Sequence, residues 1–312
     1  MTDSAPAPSS SAPTASRAPR HEAPDLNRPG RSLRELLWIL AARNLTIRYK
    51  GSALGFFWSL LTPLAMIVIY AIFAGLLGLR RQLLGVGGAS FEYLPFLVTG
   101  IIIWQFTSGS LSDSLFAIVG NANLVKKVYF PRIILPAATV VANTINFLLT
   151  LLILFPYLAF SGSLHPSLAT LWLIPAFALH ILLCLGIALV VSVLNVFFRD
   201  TAHLVGIFLL AWFFLSPVMY ETSLQVPAAY ANLPFGLVGL IYLNPMTGVL
   251  ALYRHALLGM DLMPVLPTAA GTVSAIPISP LWLLLSPLSA LIILIVGLWI
   301  LHLGNRHLGD VL

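Results

Sequence analysis

Charge is what this chain has least of. Of its 312 residues, 8% are Asp, Glu, Lys or Arg, and 59% are hydrophobic. Soluble domains carry about a quarter charged residues, so a surface wetted all round is excluded. A polytopic membrane protein is the class that remains. Cysteine is almost missing as well. Cys184 stands alone inside an apolar run, with no companion for an intrachain disulfide or a metal site, and reads as a packed core residue. The sequence has no G-x-x-x-x-G-K-[ST] phosphate loop, no H-E-x-x-H or Cys/His cluster and no G-x-S-x-G elbow. Neither nucleotide nor metal is therefore expected on this chain, and no catalytic residue can be named. Residues 1–30, rich in Ala, Pro and Ser, hold no apolar run of signal-peptide length and read as a disordered tail. Residues 31–312 form the membrane domain.

Six stretches can cross a bilayer, each needing about 20 apolar residues. They lie within Gly51–Leu79, Tyr93–Gly120, Ile133–Ser163, Pro166–Phe198, Leu204–Tyr220 and Leu281–Leu303. The expected fold is all-α with six transmembrane helices. The net charge of +6 points to membrane orientation rather than to nucleic acid, because basic residues beside spans set topology. With the N-terminus inside, thirteen Lys and Arg fall on the inner side, and Arg80, Arg81 and Arg254 fall outside. Both termini are then cytoplasmic.

Two segments are neither spans nor ordinary loops. In RSLRELLWILAARNLTIRYKG, residues 31–51, Ser32 and Glu35 fit a capping box, and Leu33, Leu36, Leu37, Leu40 and Ala41 recur at helical spacing. This predicts an amphipathic helix on the cytoplasmic leaflet, with Trp38 at the interface. The outer stretch Glu221–Pro280 is long and apolar. Its runs Leu233–Leu243 and Met246–Met260, split by Asn244-Pro245, are short for spans and predict two re-entrant helices. A seventh and an eighth span would satisfy the charge pattern equally.

Inside this apolar chain sits one short basic patch, GNANLVKKVYFPRIILP at residues 120–136, on the cytoplasmic side. Asp113 lies seven residues before Gly120. That is about 10 Å of helix, which favours a cytoplasmic interface or a wet pore over a proton relay. Trp58, Tyr70, Phe73, Trp104 and Phe106 either pack or line a path for a sugar chain. Ser110 and His180 are the parts from which an intramembrane hydrolase could be built.

IRYKGSALGFFWSLLTPL (47–64) and NANLVKKVYFPRIILP (121–136) resemble the permease subunits of type-2 ABC exporters. Nearest is the polysaccharide branch, O-antigen permeases of the Wzm type with teichoic-acid permeases as cousins. LNPMTGVLALYRHALLG (243–259) is similar to that family's outer region. The resemblance implies a homodimer in the bacterial inner membrane, moving a polyprenyl-diphosphate-linked polysaccharide. Two copies of a separate P-loop ATPase would bind the ATP and Mg. It implies that residues 120–136 dock on that ATPase. Asn121 and Asn123 would cap the coupling helix, Leu124, Val125, Tyr129 and Phe130 would fill an apolar groove, Lys126, Lys127 and Arg132 would meet acidic residues, and Pro131 would end the helix. It implies that Arg48, Tyr49 and Lys50 stand where the substrate enters, against the alternative of anionic-lipid contact. Asn244, Pro245, Tyr253 and Arg254 would belong to the outer exit. A drug or lipid exporter of the same class, an intramembrane enzyme and a proton-driven flippase using Asp113 are the competing readings.

Overall fold

The computed structural model describes residues 29–52, 54–76, 82–84, 90–128, 130–220, 243–260, 265–266, 276–277 and 281–305. The N-terminal tail, Tyr129, Arg80, Arg81, Arg306 and nearly all of the run Leu233–Leu243 lie outside these residues. The described chain is dominated by helices: α1 (Pro29–Tyr49), α2 (Trp58–Leu76), α3 (Tyr93–Ser114), α4 (Ala122–Lys127), α5 (Ile134–Phe160), α6 (Leu173–Phe197), α7 (Thr201–Leu215), α8 (Pro245–Leu258) and α9 (Leu281–Gly304).

Four of these are long and apolar enough to cross a membrane: Tyr93–Ser114, Ile134–Phe160, Leu168–Phe197 and Leu284–Gly304. Trp58–Phe73 and Thr201–Leu215 are shorter apolar helices. Each of the six expected stretches thus holds a helix. The helical class is as expected, with two short strand pairs confined to loops. Gln82–Leu84 (β1) pairs antiparallel with Ser90–Glu92 (β2) between α2 and α3, and Val265–Leu266 (β3) pairs with Ile276–Pro277 (β4) between α8 and α9.

The main core lies between α3, α5, α6 and α8, around Phe96, Ile102, Ile103, Phe147, Leu183, Met246 and Leu250. α3 is buried along most of its length. α6 and α9 run closely together. Their approach depends on two glycines. A Cβ at Gly297 would lie 2.5 Å from the Gly186 carbonyl oxygen, and one at Gly186 would lie 2.8 Å from Leu294 Cα. Without water to drive helices together, membrane helices associate through this kind of small-residue contact.

α1 begins at Pro29, three residues before the expected cap. Proline suits the first helical position, because its φ is already helical and its missing N–H has no partner to lose there. Ser32 therefore sits inside the first turns rather than at the N-cap. The apolar stripe also faces differently from the expectation. Leu36, Leu37, Leu40 and Ala41 pack against Ile118, Val125, Leu135 and Ala138, forming a second core at the α1/α4 end of the bundle. Trp38, Ile39 and Ile47 remain exposed. One stripe thus docks the helix on its own chain, while these three apolar side chains are left uncovered by it.

α8 corresponds to the second expected outer helix. Its 14 residues span about 21 Å, less than the roughly 30 Å hydrocarbon core. Asn244 caps it, accepting from the Met246 N–H at 3.0 Å, and Pro245 occupies the first turn. It ends at Gly259, whose φ of 66° is the left-handed conformation glycine adopts without penalty.

Candidate functional site

The polar groups that the sequence scatters over 100 residues meet at the α1/α4 end. The last two turns of α1 lie along α5 and contact it through side-chain hydrogen bonds. Asn44 donates to Thr139 Oγ1 (3.4 Å), Arg48 to Asn143 Oδ1 (3.2 Å) and the Tyr49 hydroxyl to Asn146 Oδ1 (3.0 Å). Arg48 also forms an ion pair with Asp113 near the end of α3. Asn143 completes the triangle, donating from Nδ2 to Asp113 Oδ2 at 2.8 Å. The partners on α5, Thr139, Asn143 and Asn146, are spaced four and then three residues apart, so they share one helix face. That polar stripe in the run ATVVANTINFLLT was the signal that could have found them.

Two cavities open on this triangle. One of about 450 Å³ is lined by Arg43, Asn44, Arg48, Asp113, Asn121 and Asn143, among others. The second, about 270 Å³, is lined by Arg48, Tyr49, Trp58, Gln105, Phe106 and Asn146, among others. Arg48 and Asn143 line both. Of the aromatics considered for a channel, Trp58 and Phe106 therefore reach a cavity. Tyr70 packs half-buried on the main core, Phe73 is exposed on α2, and Trp104 is buried edge-on against Trp212 and Phe213, with ring centroids 5.5 and 5.6 Å away. Lys50 is exposed just beyond α1.

The basic patch folds as a 3-10 turn, Val119–Asn121, followed by α4. Asn121 holds the N-cap position, but its side chain does not cap α4. Its Oδ1 accepts from Arg43 at 2.5 Å and its Nδ2 donates to the Ala117 carbonyl at 2.7 Å. α1 is thereby tied to the start of the patch. Leu124, Val125 and Phe130 turn inward onto the second core, because an apolar side chain at this end has the chain's own Leu40 and Ile134 to cover it. Asn123, Lys126, Lys127, Val128 and Pro131 face outward. Lys126 and Lys127 occupy the last turn of α4, where a helix end favours cations. Arg132 donates to the Asn305 carbonyl at 2.9 Å, at the end of α9. Among the described residues, the outward face of the patch thus joins two lysines to the exposed apolar Val128. The Asn121 side chain thus bonds Arg43 and Ala117 in place of capping α4, and Leu124, Val125 and Phe130 contact the chain's own second core.

The residues expected at the outer exit form a lock. Arg254 is 5% exposed. It donates to the carbonyls of Pro217 (2.6 Å) and Val218 (2.7 Å), and its guanidinium carbon sits 3.5 Å from the centre of the Phe96 ring. The chain after α7 has left the helix here, so those carbonyls need donors. Gly100 on α3 makes the room, since a Cβ there would lie 2.5 Å from the Val218 oxygen. Asn244 accepts from Trp212 Nε1 (2.9 Å) and donates to Ser216 Oγ (2.9 Å). Ser286 of α9 donates to the Pro245 carbonyl at 2.7 Å. Tyr253 is buried edge-on against Phe147 and His180.

His180 Nε2 meets Thr107 Oγ1 at 2.7 Å, and the ring is enclosed by Phe106, Phe147 and Tyr253. That is a packed, hydrogen-bonded histidine rather than a base aimed at Ser110. Among the described residues no group of three or more His, Cys, Asp or Glu could hold a metal.

Comparison with known proteins gives a consistent picture. Residues 35–258 match the family described as ABC-2 type transporter. The chain is 31% identical over 222 residues to an O-antigen export system permease protein RfbA of Klebsiella pneumoniae, covering 71% of this chain and 79% of the relative. It is 30% identical over 225 residues to a protein of the same name from Myxococcus xanthus, again covering 71% and 79%.

Proposed function

The chain belongs to the ABC-2 type transporter family, and from that premise we propose that it is the permease through which an O-antigen-type, polyprenyl-diphosphate-linked polysaccharide leaves the cytoplasm. Membership makes it a multi-pass membrane protein and a transport subunit rather than an enzyme. An ABC transporter system supplies ATP hydrolysis from a partner subunit. The finer reading is a homodimer in the bacterial inner membrane with two ATPases beneath it, which bind ATP and Mg. Each protomer would have six spans, cytoplasmic termini and α8 as a re-entrant helix of the outer leaflet.

The observation that carries the substrate is the extended similarity to permeases named for O-antigen export. The α1/α4 end supports it independently. The outward Lys126 and Lys127 of α4 offer an acidic groove on a partner a basic contact, which steers association. Arg43 and Arg48 beside polar cavities offer an anionic head group charge-assisted donors. Trp58 and Phe106 offer faces to sugar rings.

Deletion of the chain tests the substrate. The expected result is lipid-linked glycan accumulating in the cytoplasm and missing from the cell surface, with export restored by the intact chain. Unchanged surface glycan would sink the polysaccharide reading and leave a drug or lipid exporter. Docking is tested separately by purifying the complex. Lys126→Glu with Lys127→Glu should lose a P-loop ATPase that the unaltered protein retains.

A further inference from the structure

The two halves of α1 are held by different forces. Leu36, Leu37, Leu40 and Ala41 are anchored in an apolar core. From Ala42 to Tyr49 no residue is buried, and the helix is held by Arg43, Asn44, Arg48 and Tyr49 through hydrogen bonds and one ion pair. A segment held this way can be released by whatever competes for its polar groups, while the apolar half stays docked.

The competitor's chemistry can be read from the larger cavity. Its lining contains two cations, Arg43 and Arg48, and one anion, Asp113, leaving one positive charge in excess. Arg43 has a neutral hydrogen-bond partner, Asn121. Arg48 is occupied by Asp113, but the two side chains are 37% and 39% exposed, so a solute or head group can reach the pair. Asn44, Asn121, Asn143 and Thr139 add amide and hydroxyl groups around it. Asp113 keeps a donor when Arg48 leaves, since Asn143 Nδ2 already bonds its carboxylate.

We propose that Asp113 is a built-in substitute anion, which holds Arg48 until a diphosphate displaces it, and that this exchange releases the C-terminal half of α1 from α3 and α5. A diphosphate carries more negative charge than a carboxylate and can engage both guanidinium groups at once, so it outcompetes Asp113 for Arg48. Drawing Arg43 toward the same anion removes its bond to Asn121, at the start of the basic patch. The occupancy of the cavity is thereby communicated to the segment that would dock the ATPase. A release of this kind requires only that the anion bind the freed arrangement better than the latched one. The identification of the diphosphate as that of a lipid-linked glycan rests on the export reading; the exchange itself does not.

The test is diphosphate binding by the full chain alone in nanodiscs, without the ATPase, whose own phosphate sites would obscure the signal. Inorganic pyrophosphate is one probe, and polyprenyl diphosphate in the disc is the second. Discs containing phosphatidylglycerol are the control for a general anionic-lipid contact. Asp113→Asn should bind either diphosphate about tenfold more tightly than the unaltered chain, because the internal competitor is gone. Arg48→Gln should lose the binding, and adding Asp113→Asn to it should restore none. If Asp113→Asn does not assemble, Asp113→Ser serves the same purpose. Spin labels at Thr46→Cys and Leu152→Cys, in a Cys184→Ala background, should move apart when pyrophosphate is added.

Equal or weaker binding by the Asp113 variant would overturn the proposal. So would tightening seen with phosphatidylglycerol alone, or labels that stay in place under saturating pyrophosphate. Surface glycan in a deletion strain reports on the export reading by itself. The expected binding shifts together with normal glycan export on deletion would keep the exchange and remove the glycan.

Discussion

Arg48 and Arg254 are both cations in a chain that has few, and they are held in opposite ways. Arg254 is buried, with backbone carbonyls as partners and an aromatic ring beneath it. None of those partners can leave without unfolding the turn after α7. Arg48 is more than a third exposed, with a carboxylate and an amide as partners, and any anion of suitable shape can replace the carboxylate. The first arrangement is a lock between α3, α7 and α8. The second is a latch between α1, α3 and α5. The difference lies in desolvation: a buried charge cannot give up its partners without a large penalty, whereas a half-exposed one can exchange them with solvent or ligand.

The comparison can be broken first at the lock. Arg254→Met should destabilise the protein by about 3 kcal/mol or more, since it strands two buried carbonyls and removes the contact with Phe96. A large drop in the thermal unfolding midpoint in detergent, with loss of correctly assembled protein, would be the sign. Arg254→Lys should not rescue it, because an ammonium lacks the planar fork that reaches both carbonyls while lying on a ring. A midpoint within a degree of the original would show that the lock is an illusion of geometry.

Next comes the room made for that lock. Gly100→Ala should cost about 1–3 kcal/mol, as expected for overpacking, and Gly297→Ala should cost a similar amount at the α6/α9 contact. Ala at Gly206, where an added Cβ meets nothing within 4 Å, is the control and should leave the midpoint unchanged. The latch should behave otherwise. Arg48→Gln should alter stability by about 0–1 kcal/mol, as half-exposed ion pairs do, yet strongly reduce export. A variant as unstable as Arg254→Met would make Arg48 a second lock. The smallest effect on stability belongs to Lys126→Glu with Lys127→Glu, within about 0.5 kcal/mol for exposed substitutions. Their effect should appear in retention of the ATPase subunit, and a full complement of ATPase would remove the outward face of α4 from the docking surface.

Much of this was legible in order along the chain. Apolar run length foretold a helix in each of the six stretches, and the stripe Leu36, Leu37, Leu40, Ala41 foretold that α1 is an amphipathic helix. What the stripe docks on was not legible, because lipid and a protein core are equally apolar to a side chain. Asp113 was recognised as an unusual charge near an interface. Its partner was not, since Arg48 lies 65 residues away and nothing local couples the two. Asn143 and Asn146 do not stand out in the sequence, because an amide inside an apolar run is less exceptional than a charge. The charge pattern puts Arg254 on the outer side, and the structure buries it.

By itself, then, the sequence determined what depends on neighbours in the chain: the membrane class, the helical stretches, the basic patch and the Asn-Pro start of α8. These follow from composition, periodicity and backbone restriction, which act over a few residues. Tertiary structure alone decided which charges are neutralised, which apolar side chains of the patch face inward and which aromatics reach a cavity. Those outcomes are set by contacts across tens of residues, where burial and partner geometry outweigh anything a residue's own neighbours can dictate.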